Sequence, residues 1–268
     1  MPDYPANYAA LNRSLWNAKT EYHVQSEFYD VPGFLAGASS LNDIELALLG
    51  DVSGQHILHL QCHFGQDSMS LSRMGAHVTG IDLSDKAIDT ARQLATQLGL
   101  STQFICSDVY ELPEHLHQQF DVVFTTYGVL GWLPDMARWA AVVAHFLKPG
   151  GRLVLVEFHP VVWMFDAGFT RVEYSYFNRE TITETETGTY ADRAAPLETT
   201  SVSWNHSLGE VLGALLQQRL EIRQFEEYDY SPYNCFAELE QTGERQYRLR
   251  HLPNKLPMVY SIVAQKRP

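Results

Sequence analysis

The chain is short of cysteine, of basic side chains and of long apolar runs. Its three cysteines, Cys62, Cys106 and Cys235, are an odd number. The opening residues MPDYPANYAALNRS lack the charged and apolar regions of a secretory leader. Reduced thiols and a cytoplasmic location are therefore expected. No run approaches the ~18 apolar residues of a membrane span; the best, residues 140–147, is short and carries His145. Lys and Arg number 19 against 32 Asp and Glu, a net charge of −13. That balance disfavours a nucleic-acid partner, because such proteins present a basic patch. The metal motifs CxxC and HExxH are missing, and so is the GxSxG turn of a serine hydrolase. His56 and His59 would point to opposite faces of a strand and so share an ion poorly, which leaves no expected metal.

What is present is concentrated in residues 56–84, HILHLQCHFGQDSMSLSRMGAHVTGIDLS. Residues 56–61 read as a buried strand, residues 62–66 as a turn, and Met69, Leu71 and Met74 mark a helix that Asp67 or Ser68 can cap and Gly75 can end. Residues 77–81 read as a second strand, with Asp82 at its carboxyl end. Such a βαβ unit is right-handed, with parallel strands, and ligands bind in the crevice beyond the strands' carboxyl ends. Gly65 is expected to let the backbone approach a ligand without a Cβ between them. Asp82 follows it by 17 residues, near the ~20 typical of an acid that accepts hydrogen bonds from a ribose diol.

The same alternation continues. A helix over residues 41–49 takes Asn42 or Ser40 as cap, with Leu41, Ile44, Leu48 and Leu49 on one side. Ser84 caps a helix over residues 85–98, and strands are expected at residues 103–106, 120–126 and 152–158, with a turn at residues 148–151. Repeated β-α units mean a parallel, doubly wound α/β sheet. Residues 170–203 are polar and alternating, suited to two antiparallel strands turning near Asn178. A helix over residues 208–220 places Leu208, Leu212, Leu215 and Leu216 inward, strands follow at residues 221–230 and 258–266, and the stretch between them reads as loop. The whole is expected as a single domain: a helical cap (1–50), a ligand-binding half (51–160), a β insertion (161–204) and the remainder of the sheet (205–268).

Four pieces together, LHLQCHFGQD, VTGIDLS, ICSDV and FDVVFTTYGVLGWLPD with LKPGGRLVLVEF, resemble class I S-adenosylmethionine-dependent methyltransferases. The resemblance covers roughly residue 41 to the end. It implies a three-layer fold with a seven-stranded, mostly parallel sheet of order 3-2-1-4-5-7-6 and an antiparallel last strand. It implies S-adenosyl-L-methionine as cofactor, leaving as S-adenosyl-L-homocysteine, with Asp82 on the ribose and Asp108 at the adenine amino group. Leu83, Val109 and Tyr127 take cofactor-contacting places by the same likeness, with Gln61 and Gly65 in the first turn. This chain departs from the pattern in that turn. His59 stands where the family has an acid, and Gln61 and His63 stand at the first two of three glycines. Gln61 and Asp67 are the polar groups near enough to take over the amino-group contact, Asp67 being read first as a helix cap.

The family reaction displaces a methyl group in line from a sulfonium. The donor is already activated, so proximity, orientation and exclusion of water can do most of the work, and a base is needed only for a protonated nucleophile. His159, after the fifth strand, and Tyr127, after the fourth, are the catalytic candidates; each has a plainer role as a hydrogen-bonded or packing residue. His206 reads as structural. The expected partner is a small-molecule methyl acceptor, for a monomer or homodimer. Two other readings stay open: a cofactor-binding sensor without catalysis, and an NAD-dependent oxidoreductase, whose glycine turn is missing.

Overall fold

A computed structural model describes residues 4–268; residues 1–3 of the expected N-terminal cap lie outside the described residues. Three helices come first: α1 (Tyr8–Gln25), α2 (Val31–Leu35) and α3 (Asp43–Leu49). Five β-strands then alternate with helices: β1 (His56–Leu60), α4 (Gln66–Arg73), β2 (His77–Asp82), α5 (Asp85–Gln97), β3 (Gln103–Cys106), α6 (Leu112–His115), β4 (Phe120–Thr126), α7 (Met136–Phe146) and β5 (Leu147–Phe158). A hairpin, β6 (Ile182–Thr187) and β7 (Glu198–Ser203), precedes α8 (Leu208–Gln217) and β8 (Leu220–Tyr228). A second hairpin, β9 (Leu239–Gly243) and β10 (Gln246–Leu249), precedes β11 (Val259–Lys266).

The main sheet has the order β3-β2-β1-β4-β5-β11-β8. Strands β1 to β5 pair in parallel, and β11 pairs antiparallel with both β5 and β8. This is the expected mostly parallel, seven-stranded arrangement. The centre is apolar on both faces, as a sheet covered on both sides requires. Along β1, Ile57 joins Val122, Phe124 and Val154 on one face, while Leu58 and Leu60 join Val123, Leu153 and Trp139 on the other. Each such side chain, fully buried, contributes roughly 1.5–3 kcal/mol. Helix α5 forms because Ser84 accepts the Ala87 amide N–H and because Ala87, Ile88, Ala91, Leu94 and Ala95 all turn inward.

Several boundaries differ from the sequence reading. The polar insertion turns at residues 188–197, between β6 and β7, and not near Asn178. Asn178 instead points its amide at Pro134 and Glu210. Residues 148–151 are drawn into the start of β5, where only Gly150, at φ +78°, keeps the left-handed backbone of a turn. The stretch read as loop before the last strand holds the β9–β10 hairpin. Leu216 is 56% exposed, because α8 ends one residue later and that leucine falls at the edge of the buried stripe.

Candidate functional site

The first turn after β1 keeps the backbone of a glycine turn without its glycines. Gln61 and His63 both lie in the left-handed region, at φ +55° and +50°, where residues other than glycine are uncommon. Local contacts hold them there. The Gln61 Nε2 donates to the Val129 carbonyl at 2.9 Å, and the His63 amide N–H donates to Asp82 Oδ2 at 2.8 Å. Gly65, at φ +80°, is needed for packing: a Cβ there would meet the Phe104 ring at 2.5 Å. The bare Cα thus has a steric reason internal to the fold beside the expected one of ligand approach.

Asp67 is not a helix cap. Gly65 takes that place, and Asp67 sits in the first turn of α4. Its Oδ2 accepts the Thr126 hydroxyl at 3.3 Å, and burial pushes its carboxyl up against the hydrogen bonds that favour ionisation. His59, where the family has an acid, is a buried neutral ring bonded to Ser68 Oγ at 2.8 Å, and burial pushes it down to about 3.

These groups surround a cavity of roughly 980 Å³ at the carboxyl ends of the parallel strands. Gln61, Gly65 and Asp67 line it from the first turn, with Asp82 and Leu83 after β2, Asp108 and Val109 after β3, and Tyr127 after β4. Asp82 accepts the His63 and Ser84 amide N–H groups, one on each oxygen. Burial nevertheless outweighs them and pushes the carboxyl up to about 6. Asp108 Oδ1 accepts the Tyr110 amide N–H at 2.7 Å. Tyr127, at φ +37°, donates its hydroxyl to Glu45 Oε2 at 2.8 Å, and burial beside Glu45 raises its phenol well above the usual range. That hydroxyl is committed to a structural bond. The loop after Tyr127 is clamped by Glu157, whose carboxylate accepts the amides of Gly128, Val129 and Leu130.

His159 does not line the cavity. Its Nε2 faces Glu227 at 2.9 Å and its Nδ1 accepts the Val161 amide. It is buried against Tyr260 of β11, because the pleat of β5 sends Phe158 to the cavity and its neighbour to the other side. The proton-accepting role proposed for His159 is corrected to a structural one. His206 is structural as well, with Nε2 on the Leu133 carbonyl at 2.8 Å and Nδ1 on Glu210 at 3.2 Å.

The roof brings in residues the sequence did not single out. Asn12 of α1 donates to the Val202 carbonyl at 2.8 Å and accepts the Val202 amide at 3.0 Å, which ties α1 to β7. Tyr29 meets Tyr190 of the hairpin turn, hydroxyl to hydroxyl. His23 and His63 share a hydrogen bond at 2.9 Å, and burial pushes them down to about 2 and about 3, so both are neutral. Glu45 could have been found, since Asn42-x-x-Glu45 has the spacing of a capping box and forms one. Nothing local marks Asn12, Tyr190 or Lys19, the last a residue of α1 that also lines the cavity. Among the described residues no group of acids, histidines and cysteines is arranged for a metal, and no helix is long and apolar enough to cross a membrane.

Residues 57–151 match the family model described as a methyltransferase domain. The ubiquinone biosynthesis O-methyltransferase of Aeromonas salmonicida is 32% identical over 136 residues, 49% of this chain and 57% of that protein. The chain thus spans about half the length of the curated relatives it matches, the shares being 57% and 43% for two of them. The fold agrees. An S-adenosylmethionine-dependent methyltransferase from Listeria monocytogenes superposes with a TM-score of 0.60 at 18% identity, over 84% of this chain and 96% of that one. In sequence over residues 57–151, and in fold over most of its length, the chain is similar to S-adenosylmethionine-dependent methyltransferases. Another structure of this fold is the magnesium protoporphyrin IX methyltransferase of Synechocystis PCC 6803 with bound SAH, with a TM-score of 0.54 at 14% identity over 96% and 99% of the two chains. The family match covers about a third of the chain, from β1 to the start of β5. The roof segments α1, β6–β7 and β9–β10 lie outside it.

Proposed function

We propose that the chain transfers a methyl group from S-adenosyl-L-methionine to a small molecule held beneath the roof. The observation that carries this reading is the Gln61 side-chain oxygen. Among the described residues it is buried without a hydrogen-bond partner, in the same cavity wall as the carboxylates of Asp82 and Asp108. A buried acceptor with nothing to accept from is costly and suits a ligand that brings a donor. The cofactor offers donors for all three places: an ammonium for Gln61 and Asp67, a ribose diol for Asp82 and an adenine amino group for Asp108. The residues present therefore fit the group, with an amide and an acid of α4 standing in for the family's acid at His59.

The cofactor supplies an activated methyl on a sulfonium. The chain's share is to bind, orient and keep water out. Asp82 holds the diol through lone pairs left free by its two backbone donors. Glu157 fixes the loop that follows Tyr127, and the Tyr127–Glu45 bond fixes the ring. A cavity of roughly 980 Å³ lies at the upper end of the ~300–1,000 Å³ of small-molecule sites, with room for the cofactor and a compact acceptor. The curated relatives carry the name of an O-methyltransferase, which supports an oxygen acceptor.

Calorimetry with S-adenosylhomocysteine tests the reading. Binding to the wild type, weakened at least tenfold in Asp82→Ala, is expected. No heat on titration, or equal affinity in both proteins, overturns it. Thermal stabilisation by NAD without any by S-adenosylhomocysteine would move the site to the dehydrogenase reading.

A further inference from the structure

Lys19 is the most unusual charge in the molecule. It projects from α1 into the cavity, yet it is only 5% exposed. Among the described residues its ammonium takes no hydrogen-bond acceptor; it lies 5.6 Å from the centre of the Trp16 ring. Burial lowers its pKa, and the carboxylate that opposes this is Glu186, a solvent-exposed residue of β6 that lines the same cavity. Its other near neighbours in charge are His23 and His63. Those rings are bonded to each other and carry no charge at neutral pH.

A lysine is almost never buried unless it is paired, because the cost of stripping water from an ammonium is several kcal/mol. Lys19 is buried and faces a cavity, and among the described residues it has no hydrogen bond or ion pair, Glu186 acting on it only from beyond contact distance. The surrounding wall is aromatic: Trp16 meets Trp132 edge-on at 5.4 Å and His63 at 5.4 Å, and Tyr190 packs on His23 at 4.8 Å. Such a wall accepts a flat ring and gives an ammonium an apolar setting in which one opposite charge counts for much.

We infer that Lys19 is the anchor for an oxyanion on the methyl acceptor, and that the acceptor is an aromatic carboxylate or phenolate stacked in the Trp16–Trp132–Tyr190 corner. The inference rests on the methyl-transfer reading for the word acceptor, but the anion subsite itself does not depend on it. Glu186, from the hairpin, is the group an incoming anion displaces as the nearest counter-charge. The specificity of the site is then set by the roof, through a residue on α1, while the strand ends serve the cofactor.

The test uses the full chain saturated with S-adenosylhomocysteine and three probes: benzoate, 4-nitrophenolate and the neutral benzamide. The variants are Lys19→Met, which keeps the stem, and Lys19→Arg, which keeps the charge. At least one of the two anions should bind the wild type and bind Lys19→Met at least tenfold more weakly. Lys19→Arg should retain most of that affinity, and benzamide should bind all three proteins alike. Benzoate alone marks a carboxylate acceptor, and 4-nitrophenolate alone a phenolate. No anion binding by the wild type, or equal binding by Lys19→Met, overturns the inference and leaves Lys19 as a partner of Glu186. Affinity for S-adenosylhomocysteine, measured separately, should be unchanged in Lys19→Met. Its absence in the wild type would remove the methyl-transfer reading, whereas anion binding lost with Lys19 would still stand.

Discussion

The Tyr127 hydroxyl and the Glu45 carboxylate meet at 2.8 Å inside the wall of the cavity, across an interval of 82 residues. Glu45 also accepts the Asn42 backbone and side-chain N–H groups, through its other oxygen. It is fully buried, and burial, with Asp67 nearby, pushes its carboxyl up from 4.5 to about 7. Helix α3 is thereby bound to the loop after β4 by a carboxyl group that is half protonated near neutrality.

The pH dependence of stability follows from that value. A carboxyl whose folded pKa is raised stabilises the fold fully below its unfolded pKa. It loses that contribution as pH rises through the folded pKa. For Glu45 the window runs from about 4.5 to about 7, and at about 1.36 kcal/mol per unit the loss is on the order of 3 kcal/mol. Glu45→Gln keeps the size and one acceptor but cannot ionise. Urea unfolding at pH 5 and pH 8 should show the wild type losing more stability than Glu45→Gln between the two. Parallel losses would show that Glu45 does not titrate in this range.

Asp82 gives a second prediction, about binding. Burial raises its carboxyl from 3.8 to about 6, and a ligand that donates hydrogen bonds to it favours the ionised form. Binding S-adenosylhomocysteine at pH 5.5 should therefore release protons. Calorimetry in buffers of different ionisation enthalpy should show this as a buffer-dependent heat, fading by pH 8, with affinity falling as pH drops below about 6. Asp82→Asn should abolish the buffer dependence; an unchanged proton release would assign it to another group.

Gly65 gives a third. An alanine at φ +80° costs roughly 1–2 kcal/mol in backbone strain. Its Cβ would also sit 2.5 Å from Phe104 and 3.2 Å from Ala91, an overpacking worth roughly 1–3 kcal/mol. Gly65→Ala should lower the melting temperature by several degrees, and Phe104→Leu should recover part of the loss in the double variant. A Gly65→Ala protein as stable as the wild type would place the glycine's role outside packing.

The parallel half of the sheet was legible because each element there obeys one period. Residues 103–106 and 120–126 were read to their ends, since short apolar strands sit between clear polar breaks. Asp82 and Asp108 stood out because strand ends in such a sheet face one crevice. The antiparallel additions were harder. In β9 only Leu239 is buried, so that strand has little alternation to reveal it, and the polar residues of β6 and β7 allowed the turn to be set too early. His159 was misplaced by the side of the pleat it falls on, which depends on how β11 closes the sheet. Lys19 was invisible because an amphipathic helix normally carries its lysines in water. Only the hairpin folding over α1, from far along the chain, takes that water away.

The paired hydrogen bonds between Asn12 and Val202 join segments 190 positions apart. Neither can swing clear alone without stranding a buried amide. The first helix and the hairpin are therefore held to each other as one roof over the cavity, so that loosening either one loosens both.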